Sequence, residues 1–257
     1  MNAQQTWIAF VTIVVREVRR FMRIWVQTLL PPAITMALYF VIFGNLIGNR
    51  IGEMGGYSYI EYIVPGLVMM AVITNAYANV VSSFFSIKFQ HSIEELLVSP
   101  VPNNVILLGF VAGGVLRGIL VGLVVTLLSL FFTHLQVHHV GVMLVVVVLT
   151  ATVFSLGGFI NAMYATKFDD ISIVPTFVLT PLTYFGGVFY SISLLPEVWQ
   201  ALSMANPIVY MVNAYRYGIL GVSDVSVGVS IGMLLLFTAA LYAWAITLLN
   251  RGTGIRK

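Results

Sequence analysis

The chain has 257 residues, of which 60% are apolar and only 8% charged, against about 45–50% and about 25% in soluble domains. So few polar groups cannot clothe a globule in water, which excludes an ordinary soluble domain and leaves a surface largely covered by lipid. With a net charge of +3 and no cysteine, the chain has no disulfide framework, thiolate metal site or cysteine nucleophile, and no basic run long enough to suggest nucleic acid as a partner.

At the start, Trp7, Val11, Val14, Val18 and Phe21 recur at steps of three and four, with Gln5, Thr12, Arg16, Arg19, Arg20 and Arg23 on the other side. This spacing predicts an amphipathic helix over residues 1–23 that lies in the membrane plane, arginines toward anionic headgroups. Two roles are open to it: a plain anchor, or an anchor whose polar face also touches a cytoplasmic partner. The arginines follow the first apolar residues and no small-residue cleavage site appears, which argues against a signal peptide.

A helix needs about 20 apolar residues to cross the hydrocarbon core with its backbone satisfied. Uncharged runs predict six spans: 24–44 with Pro31 and Pro32 near its start, a second between Glu61 and Lys88, a third within 105–132 interrupted by Arg117, a fourth at 141–165, a fifth at 173–190 carrying Pro175 and Pro181, and a sixth at 225–249. The expected fold is therefore an all-α polytopic membrane protein: one transmembrane domain with spans one to five over 24–190, a sixth within 225–250, and a tail at 251–257. One side of this scheme collects Arg16, Arg19, Arg20, Arg23, Lys88, Lys167, Arg251, Arg256 and Lys257, the other only Arg50 and Arg216. Retention of basic loops inside the cell then places both termini in the cytoplasm.

The loop over 88–102 has Ser92 ahead of Glu94 and Glu95, and Pro100 and Pro102 at its end. This predicts a helix of two or three turns capped by Ser92, on the cytoplasmic face. Leu96 and Leu97 bury against the spans or a partner, and the glutamates stay solvated. In the third stretch, about 28 residues or roughly 42 Å long, Arg117 either snorkels to the inner headgroups or lines an aqueous path where it meets an anionic substrate. Gly114, Gly118 and Gly122 repeat every four residues there, a small face for close helix approach within the chain or between copies.

Residues 191–224 are too apolar for a solvated loop. One short helix stopped at Asn206-Pro207, and a second over 207–220, make a re-entrant hairpin dipping into the outer leaflet. Trp199, Tyr210, Tyr215 and Tyr217 suit interface depth, and Arg216 snorkels outward.

No G-x-x-x-x-G-K-[ST] loop, H-E-x-x-H or G-x-S-x-G motif exists, so the chain is not expected to be an enzyme, and any ATP is used by another subunit. Among the spans Arg117 is the one ionisable group, which disfavours a proton relay. His134, His138 and His139 share a short loop that supplies no carboxylate or fourth ligand, a weak basis for a metal site.

Together, the six spans, the in-plane helix, the E-E-L-L-x-S-P loop at 94–100 and the hairpin with N-P-I-V-Y resemble the membrane subunit of a type-2 ATP-binding-cassette (ABC) exporter, in its half-size bacterial inner-membrane form. The resemblance implies a homodimer of permeases on two copies of a separate ATPase, with no cofactor in this chain and ATP-Mg in the partner. It implies that Ser92, Glu94, Glu95, Leu96, Leu97 and Pro100 form the coupling element, and that Arg16, Arg19 and Arg20 make a second cytoplasmic contact. It further implies that Asn206, Pro207, Tyr210 and Arg216 belong to an outer gate. The expected activity is export of an amphipathic, lipid-like, glycoconjugate or drug-like substrate across the cytoplasmic membrane. A stand-alone channel or facilitator and a non-transporting scaffold are the alternatives.

Overall fold

The computed structural model describes residues 1–254, apart from the side chains of Asn45, Asn49 and Leu97. Arg256 and Lys257 of the basic tally, and the Leu97 side chain of the coupling element, thus lie outside the described residues. Helix α1 (Ala3–Arg23) is started by a reciprocal capping box between Asn2 and Gln5. Helix α2 (Trp25–Tyr39) carries Pro31 and Pro32 inside, widens to π geometry over Phe40–Ile47 and ends in the short α3 (Gly48–Ile51). A two-stranded antiparallel hairpin, β1 (Glu53–Met54) and β2 (Tyr57–Ser58), turns on Gly55 and Gly56. Both glycines have positive φ, the conformation a two-residue hairpin demands.

Next come α4 (Tyr59–Phe89), α5 (Ile93–Val98), α6 (Asn103–Ser129) and α7 (Val140–Tyr164). The fifth run, expected over 173–190, is a shorter helix over 170–184 with a π turn in its middle: α8 (Asp170–Val174), the π turn over Pro175–Leu179, and α9 (Thr180–Tyr184). Each proline removes an N–H from the helical ladder and bars the carbonyl behind it from its usual partner. Asn161 Nδ2 on α7 donates to Ile171 O (3.3 Å), the carbonyl that Pro175 leaves without its helical partner. The helix stops at Tyr184, short of Tyr190, because Gly186 and the left-handed Gly187 turn the chain away. Then follow α10 (Glu197–Met204), α11 (Pro207–Leu220) and α12 (Val227–Arg251).

Five helical segments among the described residues are long and apolar enough to cross a membrane: Trp25–Gly44, Tyr59–Phe89, Asn103–Ser129, Val140–Tyr164 and Val227–Arg251. They are not equivalent. In α4, 83% of the most apolar window is buried by protein, against 17% in Trp25–Gly44 and in α12, so α4 is the central post and the other two present most of their surface outward. The small-residue face of α6 is used within the chain: a Cβ on Gly118 would sit 3.1 Å from Ala76 Cβ on α4 and 3.4 Å from Ala151 Cβ on α7, and one on Gly122 would overlap Val72. This settles which surface the four-residue glycine repeat serves.

Candidate functional site

Two groups of polar residues sit at opposite ends of α4. At its C-terminal end, α5 hangs from the bundle by Ile93, which is buried, and by Leu96, which packs half-buried against the core. Glu94, Glu95, Val98 and Pro100 face outward, Val98 with 88% of its surface exposed. The helix is shorter than the sequence suggests and Ser92 does not cap it: its backbone is already helical and its side chain makes no capping bond. His91, at φ 58°, makes the turn instead, its carbonyl accepting from Glu94 N (3.2 Å). Extended Ser99 and the two following prolines end the helix, as expected.

The nearby loop is pinned by short polar contacts. Lys88 Nζ donates to the carbonyls of Met163 (2.6 Å), Ala165 (2.7 Å) and Ala162 (3.2 Å), covering the open C-terminus of α7. The Asp170 carboxylate accepts from Thr166 N (2.8 Å), Lys167 N (2.9 Å) and Thr166 Oγ1 (2.8 Å). The Thr166 amide, followed by the Lys167 amide, holds this carboxyl below its ordinary range.

Helix α1 is rotated from the expected apolar face. Ile13, Glu17 and Phe21 are its buried residues, and Trp7 is 64% exposed. The reason is Glu17, which is wholly buried and accepts from Ser83 Oγ (2.6 Å) and Arg20 Nη2 (3.3 Å). Gly113 on α6 leaves it room, since a Cβ there would lie 2.6 Å from Glu17 Cβ. Arg20 also donates to Asn79 Oδ1 (2.8 Å) and Asn79 O (3.0 Å) on α4, so it is turned into the protein and is not part of an outward arginine face. Arg16, Arg19 and Arg23 do face outward.

One turn up α4, Asn75 Oδ1 accepts from Arg117 Nη2 (3.2 Å). Arg117, half-buried in the middle of α6, is therefore tied to α4. The result is a polar seam through an apolar bundle: Ser83, Asn79 and Asn75 on one face of α4, met by Glu17 and Arg20 from α1 and Arg117 from α6. The sequence reading missed Glu17 and the α4 stripe. Their signal was present as Asn75, Asn79 and Ser83 at steps of four within a largely apolar helix.

At the other end of α4 the two-helix arrangement over 191–224 is as expected, although α11 is embedded rather than interfacial. Asn206 caps α11 by accepting from Ile208 N (3.0 Å), with Pro207 in the first turn, and donates to Leu182 O (2.6 Å). Tyr210 Oη donates to Met204 O (2.8 Å), closing the bend between α10 and α11. Tyr215 and Arg216 are buried, at 3% and 1% exposure. Arg216 does not snorkel: Nη2 donates to Gly187 O (2.6 Å), Nε to Tyr62 O (3.4 Å), and the guanidinium lies 4.1 Å over the Tyr62 ring. Asp224 joins the same region, accepting from Ser191 Oγ (2.6 Å) and Ile192 N (3.0 Å). Tyr57 donates to Leu220 O and Tyr59 to Phe189 O (3.1 Å), so the hairpin, the start of α4 and the ends of α9 and α11 are laced into one cap.

The ABC-2 type transporter family profile matches residues 8–220 of this chain. The chain is 60% identical to the inner membrane transport permease YadH of Escherichia coli (strain K12) over 98% of each protein. It is also 23% identical to nodulation protein J of Rhizobium meliloti (strain 1021) over 83% of this chain and 82% of that one, and 24% identical to nodulation protein J of Rhizobium leguminosarum bv. trifolii over the same shares.

Proposed function

The chain belongs to the ABC-2 type transporter family, and from that premise we propose that it is the permease subunit of an ATP-driven exporter in the bacterial inner membrane. Two copies pair as a homodimer and dock on two copies of a separate ATPase, which holds ATP-Mg and performs the hydrolysis. Six crossings with both termini in the cytoplasm are part of this reading, the proline-containing 173–190 stretch serving as the fifth. The in-plane α1 and an outer re-entrant hairpin made by α10 and α11 complete it.

The observation that carries the proposal is the solvated acidic face of α5. Burial of Ile93 and Leu96 fixes the helix to the end of α4, so force applied at Glu94, Glu95 and Val98 passes to the central post. Arg16 and Arg19 make the second contact with the ATPase. The polar seam joins α1 to α4, so both contacts act on the same body. Closure of the ATPase pair moves that body, and the cap, with Asn206, Pro207, Tyr210 and Arg216, lies at the exit. Walls of Met, Phe and Val with very few charges suit an amphipathic or lipid-like cargo.

Reversing charge with Glu94→Lys and Glu95→Lys should abolish permease-stimulated ATP hydrolysis while membrane insertion and dimerisation persist. Normal stimulation in that variant would overturn the docking assignment. Purification from native membranes in mild detergent should bring down a P-loop ATPase in equal amount. A clean preparation of this chain alone, stable as its own oligomer, would overturn the ATP-driven reading.

A further inference from the structure

The cap encloses a cavity of about 420 Å³ between the β1–β2 hairpin, the start of α4, the 191–194 turn and the α11–α12 junction. Tyr62, Ser191, Ser193, Arg216, Asp224 and Glu53 supply its polar wall. That volume falls in the range of small-molecule sites, roughly 300–1,000 Å³. Its electrostatics are unbalanced. Arg216 is buried, and among the described residues no carboxylate lies within 4.0 Å of it. A guanidinium offers five N–H donors. Only Nε and Nη2 find acceptors here, both neutral carbonyls, and Nη1 has none. A buried charge whose carboxylate neighbour, Asp224, stays beyond contact distance is costly to hold, and an incoming oxyanion at Nη1 is the partner that relieves it.

The rest of the wall narrows the choice of anion. Asp224 and Glu53 are both exposed in the same cavity, so the positive charge lies deep and the negative charges near the rim. Asp224 is held in place by Ser191 Oγ and Ile192 N and cannot swing in to pair with Arg216 without losing both bonds. A free polyanion meets like charge at the rim, and a simple cation meets Arg216 beneath it. A group with an oxyanion at one end and an ammonium at the other satisfies both. We propose that this cavity binds a zwitterionic group, oxyanion to Arg216 and ammonium to Asp224 and Glu53. The phosphoethanolamine head of a phospholipid and a small soluble zwitterion share that chemistry. The inference goes beyond the transport reading and its test needs no transport.

The test is calorimetric titration of the full chain in nanodiscs of phosphatidylglycerol, whose headgroup lacks the ammonium, with glycerophosphoethanolamine. Saturable one-site binding is expected, at least tenfold weaker for glycerophosphate and for ethanolamine, and at least tenfold weaker in Arg216→Gln. Asp224→Asn should weaken glycerophosphoethanolamine while leaving glycerophosphate unchanged or tighter. The proposal is overturned by absence of saturable binding in the unaltered chain, or by equal affinity in a folded Arg216→Gln protein. If that variant does not fold, equal affinity in Asp224→Asn overturns it. Repeating the titration in nanodiscs containing phosphatidylethanolamine separates the sources. Loss of the soluble signal there identifies a lipid headgroup, and an unchanged signal identifies a soluble zwitterion.

Discussion

Glu17 stands among four arginines of the first helix, one turn from both Ile13 and Phe21, at the border of its apolar stripe. It is the best buried residue of that helix, because Ser83 and Arg20 offer donors where lipid offers none. Removing it leaves Ser83 without its acceptor and Arg20 held by Asn79 alone. Glu17→Ala should therefore cost about 2 kcal/mol, the middle of the range for hydrogen bonds to charged groups, the partial exposure of Arg20 keeping the loss below that of a fully sealed pair. A lowered melting temperature in detergent, with Glu17→Gln intermediate, is the expected result.

Asp170 makes a pH-dependent counterpart at the surface. Its folded carboxyl is held below the ordinary value by the Thr166 and Lys167 amides, so the order it gives the loop is fully present at neutral pH and is lost as pH falls through that lowered value. Hydrogen exchange should show the Thr166 and Lys167 amides protected at neutral pH and released in Asp170→Asn at the same pH.

Elements whose boundaries rest on local chemistry were legible. The second, fourth and sixth runs match α4, α7 and α12 within a few residues, and the Asn206-Pro207 boundary between α10 and α11 is where side-chain capping and a first-turn proline require it. The fifth run was read too long: its helix ends at Tyr184 before the left-handed Gly187, a turn that a count of apolar residues ignores. The β hairpin was overlooked although Gly55-Gly56 is a strong turn signal, its strands being too short to show alternation. The rotation of α1 depended on a tertiary partner, Gly113, which no local pattern reveals. That partner makes a prediction: Gly113→Ala should push α1 off α6, because the added methyl would lie 2.6 Å from Glu17 Cβ. The chain has no native cysteine, so Ile13→Cys reports the change directly, with maleimide labelling slow in the parent and fast when Gly113→Ala is added.

Across the whole molecule, charge placement and hydropathy made the membrane class legible, and the E-E-L-L-x-S-P loop with the cap residues pointed to the right family. What stayed illegible was connection. Arg216 looked like a side chain reaching for headgroups and Arg117 like one that either did so or lined a path, since insertion cost is judged one residue at a time. In the folded chain Arg117 finds Asn75 and Arg216 finds Tyr62 and Gly187, partners far away in sequence. A polar residue in a span was therefore a sign of helix-to-helix attachment here.

The burial of α4 bears on how the protein is made. Its polar stripe emerges from the ribosome after α1 but before α6, α7 and α11, the helices that enclose most of it. Until those arrive, Asn75 faces lipid with no Arg117 to bind, and the half-built chain carries unsatisfied groups that the finished one conceals. Biogenesis thus has a vulnerable interval, bounded by the synthesis of α4 and of α11, in which insertion factors have something to hold and membrane proteases something to recognise. A chain truncated before α7 would be cleared quickly, and the cell would keep few partial copies able to occupy the ATPase unproductively.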